Sequence, residues 1–393
     1  MILGRRHPWL GACIGFWQMK CLIPGDVKMK KTASGFVAHG ALMLSGLLLM
    51  HAPLGLCAQE ISEVLPDLTE LPAMRVDDAN HSVQLAVARA GNRLVSVGEQ
   101  GIVLLSDDDG QSWSQASGVP VSVTLTDVEF ISPTEGWAVG HSGVVLRTET
   151  AGEQWVKVMT GQEIVATIKT AVESLPESED MADVLKRNAS YLTGDEPVLD
   201  VHFSENGEGW LLGAYGIALH SRDAGQTWDS AFSITGNPNS YHLYQYIPAD
   251  SHDGLIVGER GLVSRSAEES GVFESSPIDY QGTFFGGVAS GSDQFVLFGL
   301  RGNVWAGAGD SWTQIPTGSQ ASFSAGVLTP VGIVLGDVTG RLFLKSGDSE
   351  QVRELAQASD AAITDLIVSP GGQLVMSTAR GPKRLELDST EFK

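Results

Sequence analysis

Beyond Cys57 the chain contains no cysteine; Cys13, Cys21 and Cys57 all lie near its start. The body of the protein therefore holds no disulfide, no thiolate metal site and no cysteine nucleophile. Basic residues are also scarce, with 25 Lys and Arg against 47 Asp and Glu for a net charge of −22. Of those few cations, Arg5, Arg6, Lys20, Lys28, Lys30 and Lys31 fall before residue 59, so the remainder is more acidic still. Such a surface repels phosphate backbones and anionic headgroups, which excludes nucleic acid and direct lipid binding as expected partners. His-Glu-x-x-His and paired histidines are missing, so no metal site and no cofactor is expected. Long apolar runs are confined to one place, from about Phe36 to Leu56. Met29-Lys30-Lys31 precedes that run and Leu56-Cys57-Ala58 closes it, the order of a secretory signal peptide cleaved near Ala58. Residues 1–58 read as leader, with Met29 as an alternative start and lipidation at Cys57 as a rival reading. The mature chain is expected in a periplasm or lumen.

What the sequence has in quantity is glycine at a regular period. Apolar strands are joined by short tips at Gly98-Glu99-Gln100-Gly101, Gly140-His141-Ser142-Gly143, Gly213-Ala214-Tyr215-Gly216, Gly258-Glu259-Arg260-Gly261, Gly299-Leu300-Arg301-Gly302, Gly336-Asp337-Val338-Thr339-Gly340 and Ser377-Thr378-Ala379-Arg380-Gly381. Paired glycines suit tight turns with positive φ. Ser106, Asp108, Gly110 and Trp113, and again Ser221, Asp223, Gly225 and Trp228, fit the pattern S-x-D-x-G-x-[ST]-W, the Asp-box or BNR turn. Thr148 to Trp155 keeps Gly152 and Trp155 but has Thr150 in place of the acid, and Gly309-Asp310-Ser311-Trp312 keeps only the end. The Asp accepts backbone N–H groups inside the hairpin and the Trp packs into the sheet. Each unit opens with an inner strand, as at Leu125 to Ile131, Val198 to Phe203, Phe323 to Leu328 and Ile363 to Val368. Four short strands per forty-odd residues make a blade. The expected fold is all-β: a seven-bladed β-propeller of four-stranded antiparallel blades over residues 80–393, with a helical insert between blades 2 and 3.

That insert spans 161–196 and carries Ile164, Val165, Ile168, Val172 and Leu175 at helical spacing; a second helix is expected from about Glu177 to Asn188. The last unit lacks an outer strand. Residues 59–79 are expected to supply it through Leu71 to Val76, closing the ring and covering an edge.

By topology, the insert and the glycine tips share one face. Arg260, Arg301 and Arg380 stand just before the second glycine of their tips and Arg341 follows Gly340, giving four cations on blades 4 to 7. Guanidinium groups on rigid turns fork onto carboxylates of a partner, or onto neighbouring acids such as Asp337 and Glu259. Asp127, Asp200 and Asp365 recur on inner strands, either ringing the channel or satisfying backbone donors. Tyr241, Tyr244 and Tyr246 lead along blade 4, as sugar-stacking rings or as strand packing.

The two Asp-boxes, the glycine hairpins and the leader together resemble the photosystem II stability/assembly factor propellers of cyanobacteria and chloroplasts, over about Asn80 to Leu387. The resemblance implies a non-enzymatic lumenal or periplasmic assembly factor that engages a membrane-protein subunit through an arginine patch. Arg260, Arg301 and Arg380 look like that patch, although blades 1 to 3 carry Gln100, Ser142 and Tyr215 there. The client is then a photosynthetic or other envelope membrane protein. The alternative is a carbohydrate-binding or glycoside-hydrolysing Asp-box propeller taking a glycan or small ligand. It lacks the early F-R-I-P-type segment of sialidases, but Asp127, Asp200 and Asp365 offer carboxyls.

Overall fold

The computed structural model describes residues 66–385, apart from 178–180, 205, 250–253, 267–270, 292–293 and 348. The leader, Cys57 and the cleavage position near Ala58 lie outside the described residues. Seven antiparallel sheets follow one another in chain order, six of four strands and the last of three. Their inner strands are Gln84–Ala90, Leu125–Phe130, Val198–Phe203, Leu243–Ile247, Phe284–Gly291, Phe323–Thr329 and Ile363–Val368. The chain is a seven-bladed β-propeller.

Each inner strand is bulged against its neighbour near its first residues, at Leu125/Asp127 and Ile363/Asp365 for example. The bulge turns the third residue toward the next blade. There Asp127 accepts the N–H of Val201 (2.9 Å), Asp200 that of Tyr246 (3.0 Å), Gln245 that of Gly287 (2.8 Å) and Asp365 that of Val87 (2.9 Å). Of the two readings of the recurring aspartates, the geometry supplies the structural one: they fix blade-to-blade register around the channel. Gln245 plays the same part without a charge.

The apolar cores lie between blades rather than at the centre of the disc. One joins blades 1 and 2 around Val97, Leu125 and Trp155. Another joins blades 2 and 3 around Trp137, Phe203 and Leu211. Trp137 stacks on Phe203 at 5.3 Å and meets Trp228 edge-on at 6.1 Å. The core between blades 2 and 3 also receives two helices, α1 (Gly161–Glu173) and α2 (Ala182–Ser190). Thr160 and Glu163 form a reciprocal cap that starts α1. Its buried face is Ile164, Val165, Ile168 and Val172. The second helix begins later than its sequence suggests and runs to Ser190.

Ring closure corrects one expectation. Blade 7 has three strands among the described residues, Ile363–Val368, Leu374–Thr378 and Lys383–Leu385, and Leu71 to Val76 does not join it. That segment crosses the rim of blades 1 and 2 instead. Ala73 donates to the Val119 carbonyl and Ser122 to that of Leu68. The Gln115 amide takes the Val76 N–H (3.1 Å) and donates to the Met74 carbonyl (2.8 Å), occupying the groups a ladder would need. Pro72 removes a further donor. The seam between blades 7 and 1 is stitched by side chains: Thr364 donates to the Gln84 carbonyl (2.7 Å) and the Ser96 and Ser377 hydroxyls meet at 3.0 Å.

Candidate partner-binding face

Five tips adopt one conformation, a single 3-10 turn whose middle residue is left-handed: Gln100, Ser142, Tyr215, Arg260 and Arg301, with φ between 54° and 58°. A non-glycine residue there costs about 1 kcal/mol or more. Glycine would relieve the strain; Gln100, Tyr215, Arg260 and Arg301 at this position are exposed and Ser142 is half-buried. The glycine that follows has no freedom to change. A Cβ on Gly261 would lie 1.9 Å from the Tyr280 carbonyl oxygen, and the Gly261 N–H already donates to Gly282 at 2.6 Å.

The four arginines do not form a single patch. Arg341 is spent within the protein. It pairs with wholly buried Asp337 (2.8 Å) and with Glu354 (3.2 Å), and donates to the Ser319 hydroxyl (3.0 Å). Removing it strands a buried carboxylate that keeps only the Thr339 and Arg341 backbone donors and the Thr339 hydroxyl. Arg341→Met is therefore expected to cost about 2 kcal/mol in denaturant unfolding. Arg380→Met should cost less than about 1 kcal/mol, since its pair with Asp360 (2.6 Å) is exposed on both sides. Equal losses would contradict this assignment.

Arg260 and Arg301 are different. Both are exposed, and among the described residues neither guanidinium has an ion-pair partner. Glu259 does not neutralise Arg260, because its carboxylate turns back to accept the His242 N–H at 2.9 Å. Glu99 does the same for Val83 in blade 1. Burial holds the His242 imidazole below its usual range, with Glu259 pulling the other way. The His242 Nδ1 accepts the Tyr215 N–H (3.2 Å), so its approach to Glu259 is not an ion pair. Beside Arg301, burial pushes the Tyr280 phenol up to about 12 while the arginine opposes the shift. Tyr280 donates to the Leu300 carbonyl at 3.1 Å, anchoring the blade 5 tip.

On the opposite face the aspartate turns are built alike. Asp108 accepts the Ser112 N–H (2.9 Å) and hydroxyl (2.6 Å) and the Ser106 hydroxyl (2.8 Å), while Ser106 accepts the Gly110 N–H (2.9 Å). Asp223 repeats this with Thr227 and Ser221, and Ser221 accepts the Gly225 N–H. Trp113 donates to the Gly110 carbonyl at 3.2 Å. In the degenerate unit Thr150 stands in for the acid, taking the Gln154 N–H at 2.9 Å. The Ser112 hydroxyl and N–H, with Ser106, draw the Asp108 carboxyl down to about 2. Its unfolded value is about 3.9. The stability it adds is present above pH 4 and lost as pH falls toward 2. Wild type is expected to show a falling melting temperature across that window and Asp108→Asn a flatter one; parallel profiles would refute the linkage.

A family model described as "Photosynthesis system II assembly factor YCF48" matches residues 179–283. The photosystem II assembly lipoprotein Ycf48 of a Synechococcus species is 23% identical over 180 residues, 46% of this chain and 45% of that protein. That of a Synechocystis species is 29% identical over 112 residues, 28% of this chain and 29% of that protein. The solved structure "YCF48 bound to D1 peptide" superposes with a TM-score of 0.58 at 14% identity, covering 81% of this chain and 100% of the other. Over part of its length the chain is similar to photosystem II assembly factor propellers. The match spans less than half the length of the curated relatives, and the structural likeness is one of fold. The segment matched by the family model runs from the insert through blade 4. It includes the Asp223 turn and the tips bearing Tyr215 and Arg260.

Proposed function

We propose that this protein is a non-enzymatic assembly factor, exported to a periplasm or lumen, that holds an envelope or photosynthetic membrane-protein client against the tip face of blades 4 and 5. The observation that carries this reading is the pair of exposed guanidinium groups at Arg260 and Arg301, without ion-pair partners among the described residues, on a strongly acidic protein. Each is fixed on a strained turn, so binding a carboxylate freezes little additional backbone. Arg380 stands on the same face, already shared with Asp360. Resemblance to assembly factors, one of which is described as bound to a D1 peptide, agrees with a protein client. A glycoside-acting role finds less support, because Asp127, Asp200 and Asp365 each accept a backbone N–H of the next blade. In-cell crosslinking of the tagged full chain, read by mass spectrometry, should join the Arg260 and Arg301 tips reproducibly to one membrane protein. Crosslinks to none would overturn the assembly role in favour of a soluble ligand.

A further inference from the structure

Next to the Arg260 tip the same face carries a recess of about 410 Å³ between α2, the blade 3 tip and the connection into blade 4. Tyr191 closes α2 and is 72% exposed; Tyr215, on the blade 3 tip, is 48% exposed. Leu192, Ser240, Asn188 and Asn239 also line it. Two features mark the site as built rather than incidental. Ser240 has a left-handed backbone (φ 52°), and its hydroxyl is buried without a hydrogen-bond partner among the described residues. The recess also offers no free charge. Its one acid, Glu196, is consumed by the Thr193 N–H and hydroxyl and the Gly194 N–H.

The recess and the arginines are contiguous. The Tyr215 ring meets the His242 ring at 4.8 Å, and His242 is held by Glu259, the neighbour of Arg260. A neutral aromatic recess therefore lies one tip away from uncompensated cations. That charge pattern complements a chain with an uncharged bulky residue at one end and carboxylates at the other. We infer that the recess lined by Tyr191 and Tyr215 is an anchor site for an extended acidic segment of the protein client, seating an aromatic or aliphatic side chain while acids a few residues away reach Arg260 and Arg301. Extended chain advances about 3.3 Å per residue, so a short extended segment can run from the recess along neighbouring tips. Exposed phenol rings gain most from burying such a residue, and tyrosine is enriched among dominant interface contacts. This inference rests on the proposed client-binding face and adds the recess to it.

The test places a photo-crosslinking phenylalanine analogue at Tyr191, Tyr215, Arg260 or, as a control on the far end of blade 6's inner strand, Leu328, in the full chain in cells. Mapped adducts should join 191 and 215 to uncharged residues of the client segment whose acids lie beside 260, with none from 328. Tyr191→Ala and Tyr215→Ala should each lower client recovery roughly tenfold and Tyr191→Phe should not, with melting unchanged. Client adducts at 260 but none at 191 and 215 would overturn the recess and leave the arginine face standing. Absence at all three would overturn both readings. A saccharide adduct at 191 or 215 would replace the peptide occupant with a glycan.

Discussion

Trp137→Ala is expected to destabilise the propeller by about 3–5 kcal/mol, the largest effect of any single truncation proposed for it. The indole is 1% exposed and stands where blades 2 and 3 meet. It stacks on Phe203, supports Trp228 and lies beneath Arg147, whose guanidinium carbon sits 5.7 Å from the ring centre. It also forms the wall against which the Asp223 turn closes: a Cβ on Gly225 would be 2.4 Å from Trp137. Alanine leaves a cavity bordered by elements that cannot collapse, because the ring fixes the spacing of the blades. Trp137→Phe is expected to cost less than about 1.5 kcal/mol. Part of the lost area is offset because the indole Nε1 is buried without a hydrogen-bond partner among the described residues, and phenylalanine removes that donor. Guanidinium unfolding of the two variants decides the matter. A phenylalanine variant as damaged as alanine would mean the N–H is satisfied.

Charge reversal at Arg260→Glu with Arg301→Glu should lower client capture about 30-fold or more. Each position loses an attraction and gains a repulsion, together about 1–2 kcal/mol at an exposed site. The two tips project from adjacent blades into solvent, so their effects should be close to additive. Capture by wild type should weaken as salt rises, and the residual capture by the double variant should not. Melting should be unchanged, since among the described residues neither guanidinium has an ion-pair partner to lose. Undiminished capture with intact folding would remove the arginines from the site and leave the face without its main support.

The repeat was legible because its punctuation is dictated locally. A tip such as Gly258 to Gly261 needs glycine where a Cβ would strike a carbonyl, and that need recurs blade after blade. The apolar stripe Ile164, Val165, Ile168 and Val172 was legible for a similar reason, being set by helical period and burial. What failed depends on side-chain choices made across long sequence distances. Leu71 to Val76 has the apolar content of an outer strand, but Gln115 occupies the groups that would pair. Glu259 stands beside Arg260 in sequence yet serves the His242 backbone. Arg341 sits in line with the other tip arginines, and only the fold reveals the buried Asp337 that claims it. Nothing in the local pattern marks Tyr191 and Tyr215 as neighbours; α2 brings them together.

The strap across blades 1 and 2 has a mechanical consequence. Among the described residues Leu71 to Val76 contributes no strand to blade 7, so the seven described blades are in place without a strand from it. Tension on the chain ahead of Asp67 loads the Lys157 to Glu70 contact and the Gln115 amide clasp first. These contacts precede the blade 7 to blade 1 seam along the chain and are expected to yield before it. A propeller tethered by its leading end would pay out slack without opening its disc.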